Sequence, residues 1–200
     1  MVRTADDAHD FDSRQLCIDV LCGYLRLPYE PDPARPDHRY GEYVVRHTIM
    51  RVIRDHLRPG FSTISWCGHN FRFGGGVFDG LDFTGIHLTG GHMTFHAARF
   101  VSDTNYFSAT LDGGRVWFTG VRFEGGELRF EGARLLSGGM SFKGAVFAGG
   151  TVSFRRVEYH PSVTLDFDGA RFEGTAIDWG ELPAPANASD PLAAAPTWSG

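Results

Sequence analysis

Two hundred residues, 42% apolar and 22% charged, make an ordinary globular composition that fits one domain, or one domain with an appendage, and excludes a wholly disordered chain. The formal net charge of −5 and a pI near 6.0 exclude a nonspecific grip on phosphate backbones, which needs clustered Lys and Arg, yet fall short of the acidity of an obvious nucleic-acid mimic. Cys17, Cys22 and Cys67 are an odd set at spacings that fit neither a zinc site nor a disulfide framework, which points to small core residues in a reducing, cytoplasmic setting.

In chain order, residues 1–11 are acidic and polar and are expected to be disordered. No basic start leads into a long apolar run, and no stretch approaches the ~18 apolar residues of a membrane span, so no membrane segment is expected. Asp12 or Ser13 can cap a helix whose apolar positions Leu16, Val20, Leu21 and Tyr24 keep helical spacing, ending near Leu27 just before Pro28. Pro28, Pro31, Pro33 and Pro36 make residues 28–38 a linker, because proline cannot continue a helix. From Tyr40 to Leu57 a second helix is predicted, with Val45, Ile49, Val52, Ile53 and Leu57 on one stripe and Pro59-Gly60 as its stop. Neither helix is long enough to be stable alone, so residues 12–60 are read as a helical cap on the open end of a repetitive segment, residues 61–180. Trp66 and Phe71 are expected to cover the first coil of that segment.

The signature of residues 61–180 is a twelve-residue period between Val116 and Tyr159. Phe118, Phe130, Phe142 and Phe154 make one series; Phe123, Leu135, Phe147 and Tyr159 a second; Val116, Leu128, Met140 and Val152 a third. Such a period marks a stacked solenoid whose units bury their apolar faces only against their neighbours. Apolar residues two apart, as in Val152-Ser153-Phe154, point to one side of a strand, and small residues such as Ala133 and Ala145 stand two places before Leu135 and Phe147. A narrow core fills well when small and large residues alternate, and glycines such as Gly120 and Gly125 supply the corners. Residues 181–200, rich in Ala and Pro and without a period, read as a flexible tail.

The five-residue step with Ala two places before a central Phe or Leu resembles the pentapeptide-repeat family, over about Phe73 to Gly180. That resemblance implies a right-handed quadrilateral β-helix, a mainly β solenoid. Two departures stand out: Arg99, Arg134 and Arg171 occupy the place of the usual Asp or Asn, and a 5+7 spacing replaces uninterrupted fives. The run Ser65-Trp66-Cys67-Gly68-His69-Asn70-Phe71-Arg72-Phe73, with the helix around Ile18 to Arg26 before it, is similar to an uncharacterised actinobacterial group of these proteins. Members of that group often carry further helices upstream, sometimes membrane-spanning, so the resemblance also implies a longer native chain in which the solenoid hangs from a membrane. Two twelve-residue units per coil are favoured over a coil of 20, giving 24 residues, with Phe118 on Phe142 and Phe130 on Phe154. One residue is lost before Phe118 and one gained before Leu165, so a bulge is expected around His160-Pro161-Ser162.

Catalytic and metal chemistry finds no support in these patterns. His87, His92 and His96 lie close in sequence, but a metal needs three or four converging ligands, and the repeat holds no Cys or carboxylate beside them. Gly74-Gly75-Gly76 is followed by no Gly-Lys-Ser/Thr, and no Gly-x-Ser-x-Gly elbow occurs. No enzyme activity, cofactor or metal is therefore expected. What remains is the outer surface, where a 24-residue coil stacks Thr94, Trp117 and Ser141 in one row and Asp82, Tyr106, Arg129 and Ser153 in another. Trp117, Tyr106 and Arg129 are the candidate contact residues of a noncatalytic scaffold that binds a protein partner through its solenoid surface, with the cap as a second contact. The alternative implied by the resemblance is a duplex-DNA mimic that binds DNA gyrase. Mimicry needs an acidic stripe, whereas residues 61–180 carry 12 acidic against 10 basic side chains.

Overall fold

The computed structural model describes residues 2–7, 10–101 and 104–185, so most of the segment read as a flexible tail lies outside the described residues. Between Phe71 and Asp178 the chain winds as a β-solenoid with short parallel strands on three walls. Wall A stacks Phe71, Met93, Val116, Met140 and Leu165, so successive turns contain 22, 23, 24 and 25 residues. Wall B stacks Phe78, Phe100, Phe123, Phe147 and Phe172, and wall C stacks Tyr106, Arg129, Ser153 and Asp178. Two long strands, Thr110–Trp117 and Arg134–Ser141, carry wall A around a corner without a break, so the cross-section has four sides.

The 24-residue coil with one residue lost before Phe118 and one gained before Leu165 accounts for the turns of 23, 24 and 25, while the first turn, at 22, departs from it; the deviations sit at corners, where strand pairing does not fix the residue count. Ala109 N donates to Phe107 O across a two-residue step, where the next turn spans three residues from Phe130 O to Ala133 N; that is the residue lost. The residue gained lies between Tyr159, paired with Leu135, and Thr164, paired with Gly139, in the His160–Val163 turn. The first coil is shortest because only five residues separate Phe78 from Phe83. Its Gly80 and Leu81 amides are satisfied from the next coil by the buried Asn105 side chain, at 3.2 and 2.9 Å.

Phenylalanines fill the bore. Phe118 lies flat between Phe95 and Phe142, with centroids 5.0 Å away on both sides, and edge-on to Phe107 and Phe130. Phe130 stacks on Phe154 at 4.8 Å, as the repeat predicts. Removing one such ring would leave a void that neighbouring coils cannot close, at about 3–5 kcal/mol. The glycine beat has a steric cause: Gly150 has φ +69°, and a side chain there would run into the Gly126 carbonyl of the coil before.

Three helices precede the solenoid: α1 (Val2–Asp7), α2 (Phe11–Leu25) and α3 (Tyr40–Leu57). The first corrects the expected disorder over residues 1–11, because Ala5 is buried and Asp6 accepts a hydrogen bond from Trp66 Nε1 at 3.1 Å. The cap of α2 is Asp10, not Asp12 or Ser13; its carboxylate accepts from Ser13 N at 2.7 Å and from the Ser13 hydroxyl at 2.9 Å. The apolar stripe of α2 is also turned. On α2 the buried residues are Cys17, Ile18, Leu21, Cys22 and Leu25, while Leu16 and Val20 are 66% and 46% exposed. On α3 the expected stripe holds at Ile49, Val52, Ile53 and Leu57, which pack against the core, and fails at Val45, which is exposed; Arg46, Met50 and His56 join the buried face. Arg46 enters the core because its guanidinium donates to the Leu25 and Val77 carbonyls, at 2.7 and 3.0 Å, tying the end of α2 to the first coil.

Candidate interaction surface

Wall C carries the strongest arrangement. Its outward rows run Thr104, Glu127, Thr151, Ala176 and Asp82, Tyr106, Arg129, Ser153, Asp178, the second in the register the repeat predicts. Every side chain in a row comes from the same strand position on successive coils, so neighbours stand about 4.8 Å apart. Arg129 reaches sideways to the Glu127 carboxylate at 2.6 Å, and its guanidinium lies 5.9 Å from the centroid of the Tyr106 ring. The hydrogen bond to Glu127 holds the Arg129 proton more tightly than usual. Ser153 donates to Glu131 at 2.9 Å, and Arg155 pairs with Asp178 at 3.6 Å.

Two hollows open on this side. One, of about 160 Å³, lies over Leu128 and Val152 between the Glu127–Arg129 and Arg155–Asp178 pairs. The other, of about 380 Å³, lies where α3 overhangs the first coil, between Val44, Thr48, Arg51 and Arg54 on the helix and Gly80 and Asp82 below. Arg54 closes its floor with an ion pair to Asp82. Since Asp82 bridges to Tyr106, the hollows are the two ends of one track: α3 overhang, Asp82, Tyr106, Arg129, groove, Asp178. Asp82 to Asp178 is four strand spacings, ~19 Å. The sequence pattern placed Tyr106 and Arg129 on this track but missed α3, because nothing in a helical period says which wall the helix will overhang.

Trp117 sits on wall A, in the expected row with Thr94 and Ser141, well away from the Tyr106–Arg129 pair. It is half-buried and stacks on the His92 ring at 5.0 Å, so it lies along the wall. Burial first, and then Arg72, keeps His92 less basic than usual. His87, His92 and His96 do not converge, and among the described residues no group of three His, Cys, Asp or Glu is placed to hold a metal ion. Among the described residues no helix is long and apolar enough to cross a membrane. Set beside known proteins, the chain matches no family model, no curated protein and no solved structure.

Proposed function

We propose that this chain is a noncatalytic scaffold whose wall C holds an extended segment of a partner protein, and that it is a divergent pentapeptide-repeat protein of the cytoplasm. The observation that carries the first part is Tyr106: of the large apolar side chains exposed among the described residues, it alone belongs to the solenoid, and it lies between two hollows on a straight track. An extended segment of about six residues would span ~19 Å, pack an apolar side chain on Tyr106 and meet Arg129 and Arg51 with acidic or carbonyl groups. The noncatalytic part is supported by how wall C is built, since Arg129, Glu127, Ser153, Glu131, Arg155 and Asp178 are engaged with each other and not aimed at one point. Family membership is supported by the four-sided bore and by the small residues Ala98, Ala133, Ala145 and Ala170 at its corners. Free thiols at all three cysteines support a reducing compartment.

A photo-crosslinking amino acid at Ser108, beside Tyr106 on wall C, tests the reading in the source cell. One adduct of defined mass is expected, reduced at least tenfold by Tyr106→Ala or Arg129→Glu and unchanged by Thr94→Ala on wall A. Equal capture by all variants would remove wall C as the docking face.

A further inference from the structure

The last coil differs from every coil before it. Along the inner rows Phe100, Phe123 and Phe147, or Phe107, Phe130 and Phe154, exposure stays at 2% or less, whereas Phe172 and Trp179 at the ends of those rows are only partly buried. Phe172 rests one ring face on Phe147 at 5.0 Å, and Trp179 rests one on Phe154 at 5.5 Å. Leu165 and Ile177, which end their own rows, are also partly exposed, so the solenoid finishes in an apolar plate.

A predominantly acidic rim surrounds the plate, with Arg171 paired to Glu173 at 3.2 Å. Residues 158–182 contain Glu158, Asp166, Asp168, Glu173, Asp178 and Glu181 against Arg171 alone, a net of −5, which is the whole formal charge of the protein; the rest of the chain balances at 18 acidic and 18 basic residues. The cause is a polarity in the inter-coil ion pairs. In Arg99–Glu124, Arg134–Glu158, Lys143–Asp168 and Arg155–Asp178 the base stands on the earlier coil and the acid on the later one, against one pair, Arg156–Glu131 at 3.9 Å, that runs the other way. Three of these ladders end on the last coil in a carboxylate, and Glu158 and Asp168 remain 64% and 72% exposed.

We propose that this end of the solenoid docks a basic protein segment, whose Arg and Lys side chains meet Glu158, Asp168 and Glu173 around an apolar centre on Phe172 and Trp179. An apolar centre within a charged rim is the usual anatomy of a protein interface, and the rim sets the sign of the partner. A second copy of the chain is the wrong occupant, because two plates of −5 would face each other. This surface meets wall C at Asp178, the shared last position of that row, and neither reading depends on the other.

The test uses the full chain and two synthetic nine-residue peptides, one alternating Lys and Val and one alternating Glu and Val, followed by calorimetry at low and moderate salt. Binding of the Lys peptide is expected, weakening at least tenfold as salt rises, with none for the Glu peptide. The milder pair Glu158→Gln and Glu173→Gln should weaken it about tenfold, the triple reversal to Lys at Glu158, Asp168 and Glu173 should abolish it, and Thr94→Ala on wall A should leave it unchanged. Melting curves confirm that each variant folds. Absence of Lys-peptide binding, equal binding by the Gln variants, or an end-to-end dimer of the wild type in sedimentation would overturn the proposal. So would binding that emerges only when residues 186–200 are deleted, which would assign the plate to that segment.

Discussion

The two ends of the solenoid expose the same kind of surface, the terminal turn of a parallel β-stack, and treat it in opposite ways. At the first coil the Gln15 side chain stands in for a strand residue: its amide donates to Asn70 O at 2.7 Å and its oxygen accepts from Asn70 N at 2.8 Å. Arg46 takes the Val77 carbonyl, Trp66 lies buried against His56 with rings 4.0 Å apart, and Phe71, Phe73 and Phe78 are 1% exposed or less. At the last coil the corresponding rows end in Leu165, Phe167 and Phe172, of which Leu165 and Phe172 are partly exposed and Phe167 is 8% exposed, inside an acidic rim. A stack of identical units closes neither end by itself, so closure needs residues outside the repeat. The N-terminal end has them in α1–α3, while the C-terminal end has, among the described residues, the buried Leu182 and otherwise carries charge, which keeps copies apart and selects a basic partner.

Equal substitutions at matched positions would break this contrast most sharply. Phe147→Ala is expected to cost about 3–5 kcal/mol, because its ring is packed on both faces by Phe123 and Phe172. Phe172→Ala should cost about 1–2 kcal/mol, since it loses close contacts on one face; urea melts of the two variants decide, and equal losses would mean that the last coil is as closed as the coil before it. Next in size is Gln15→Ala, at about 1–3 kcal/mol for the two backbone groups of Asn70 left unpaired. Hydrogen exchange should then accelerate at Asn70 while amides of the last coil keep their rates.

A smaller effect is expected from pH. His69 is buried under Phe11, with ring centroids 4.0 Å apart, and burial lowers its pKa. The neutral form is the folded one, so its contribution is complete above the ordinary value near 6.5 and is lost as pH falls toward the depressed folded value. Melting temperature followed from about pH 7.5 to 5 should fall less steeply in His69→Phe than in the wild type. Smallest is Ala97→Gly: Ala97 has φ +53° at a corner where other coils place Gly75, Gly120, Gly144 and Gly169, and relieving that strain should stabilise the second coil by about 1 kcal/mol. A loss of stability instead would show that the corner is held by the Ala97 methyl.

Much of the fold was legible because a solenoid repeats one local rule. The Phe118–Phe142 and Phe130–Phe154 stacks and the Asp82–Tyr106–Arg129–Ser153 row arise from period and strand parity alone. The helical cap was legible as helices, and α3 largely as a face, but α2 was not. Leu16 and Val20 fit the apolar spacing on α2 as well as Ile18 and Cys22 do, and only docking against the first coil distinguishes them. Arg46 carried no signal for the same reason, since a buried arginine is intelligible only once the carbonyls of Leu25 and Val77 converge on it. Of the candidate site, Tyr106 and Arg129 were legible as outward neighbours, whereas Trp117 proved to lie against His92 and the α3 overhang had no signal at all.

By itself, then, the amino-acid order determined which residues enter the bore and which stand in rows outside it, because parity along a strand and the strand-to-strand register are local properties repeated each turn. Tertiary structure decided the 22-residue length of the first coil, the face of α2, the burial of Arg46 on α3, and the unequal fate of the two ends. Those depend on contacts between residues far apart in sequence, such as Gln15 with Asn70 or Arg46 with Val77, and no periodic pattern encodes them.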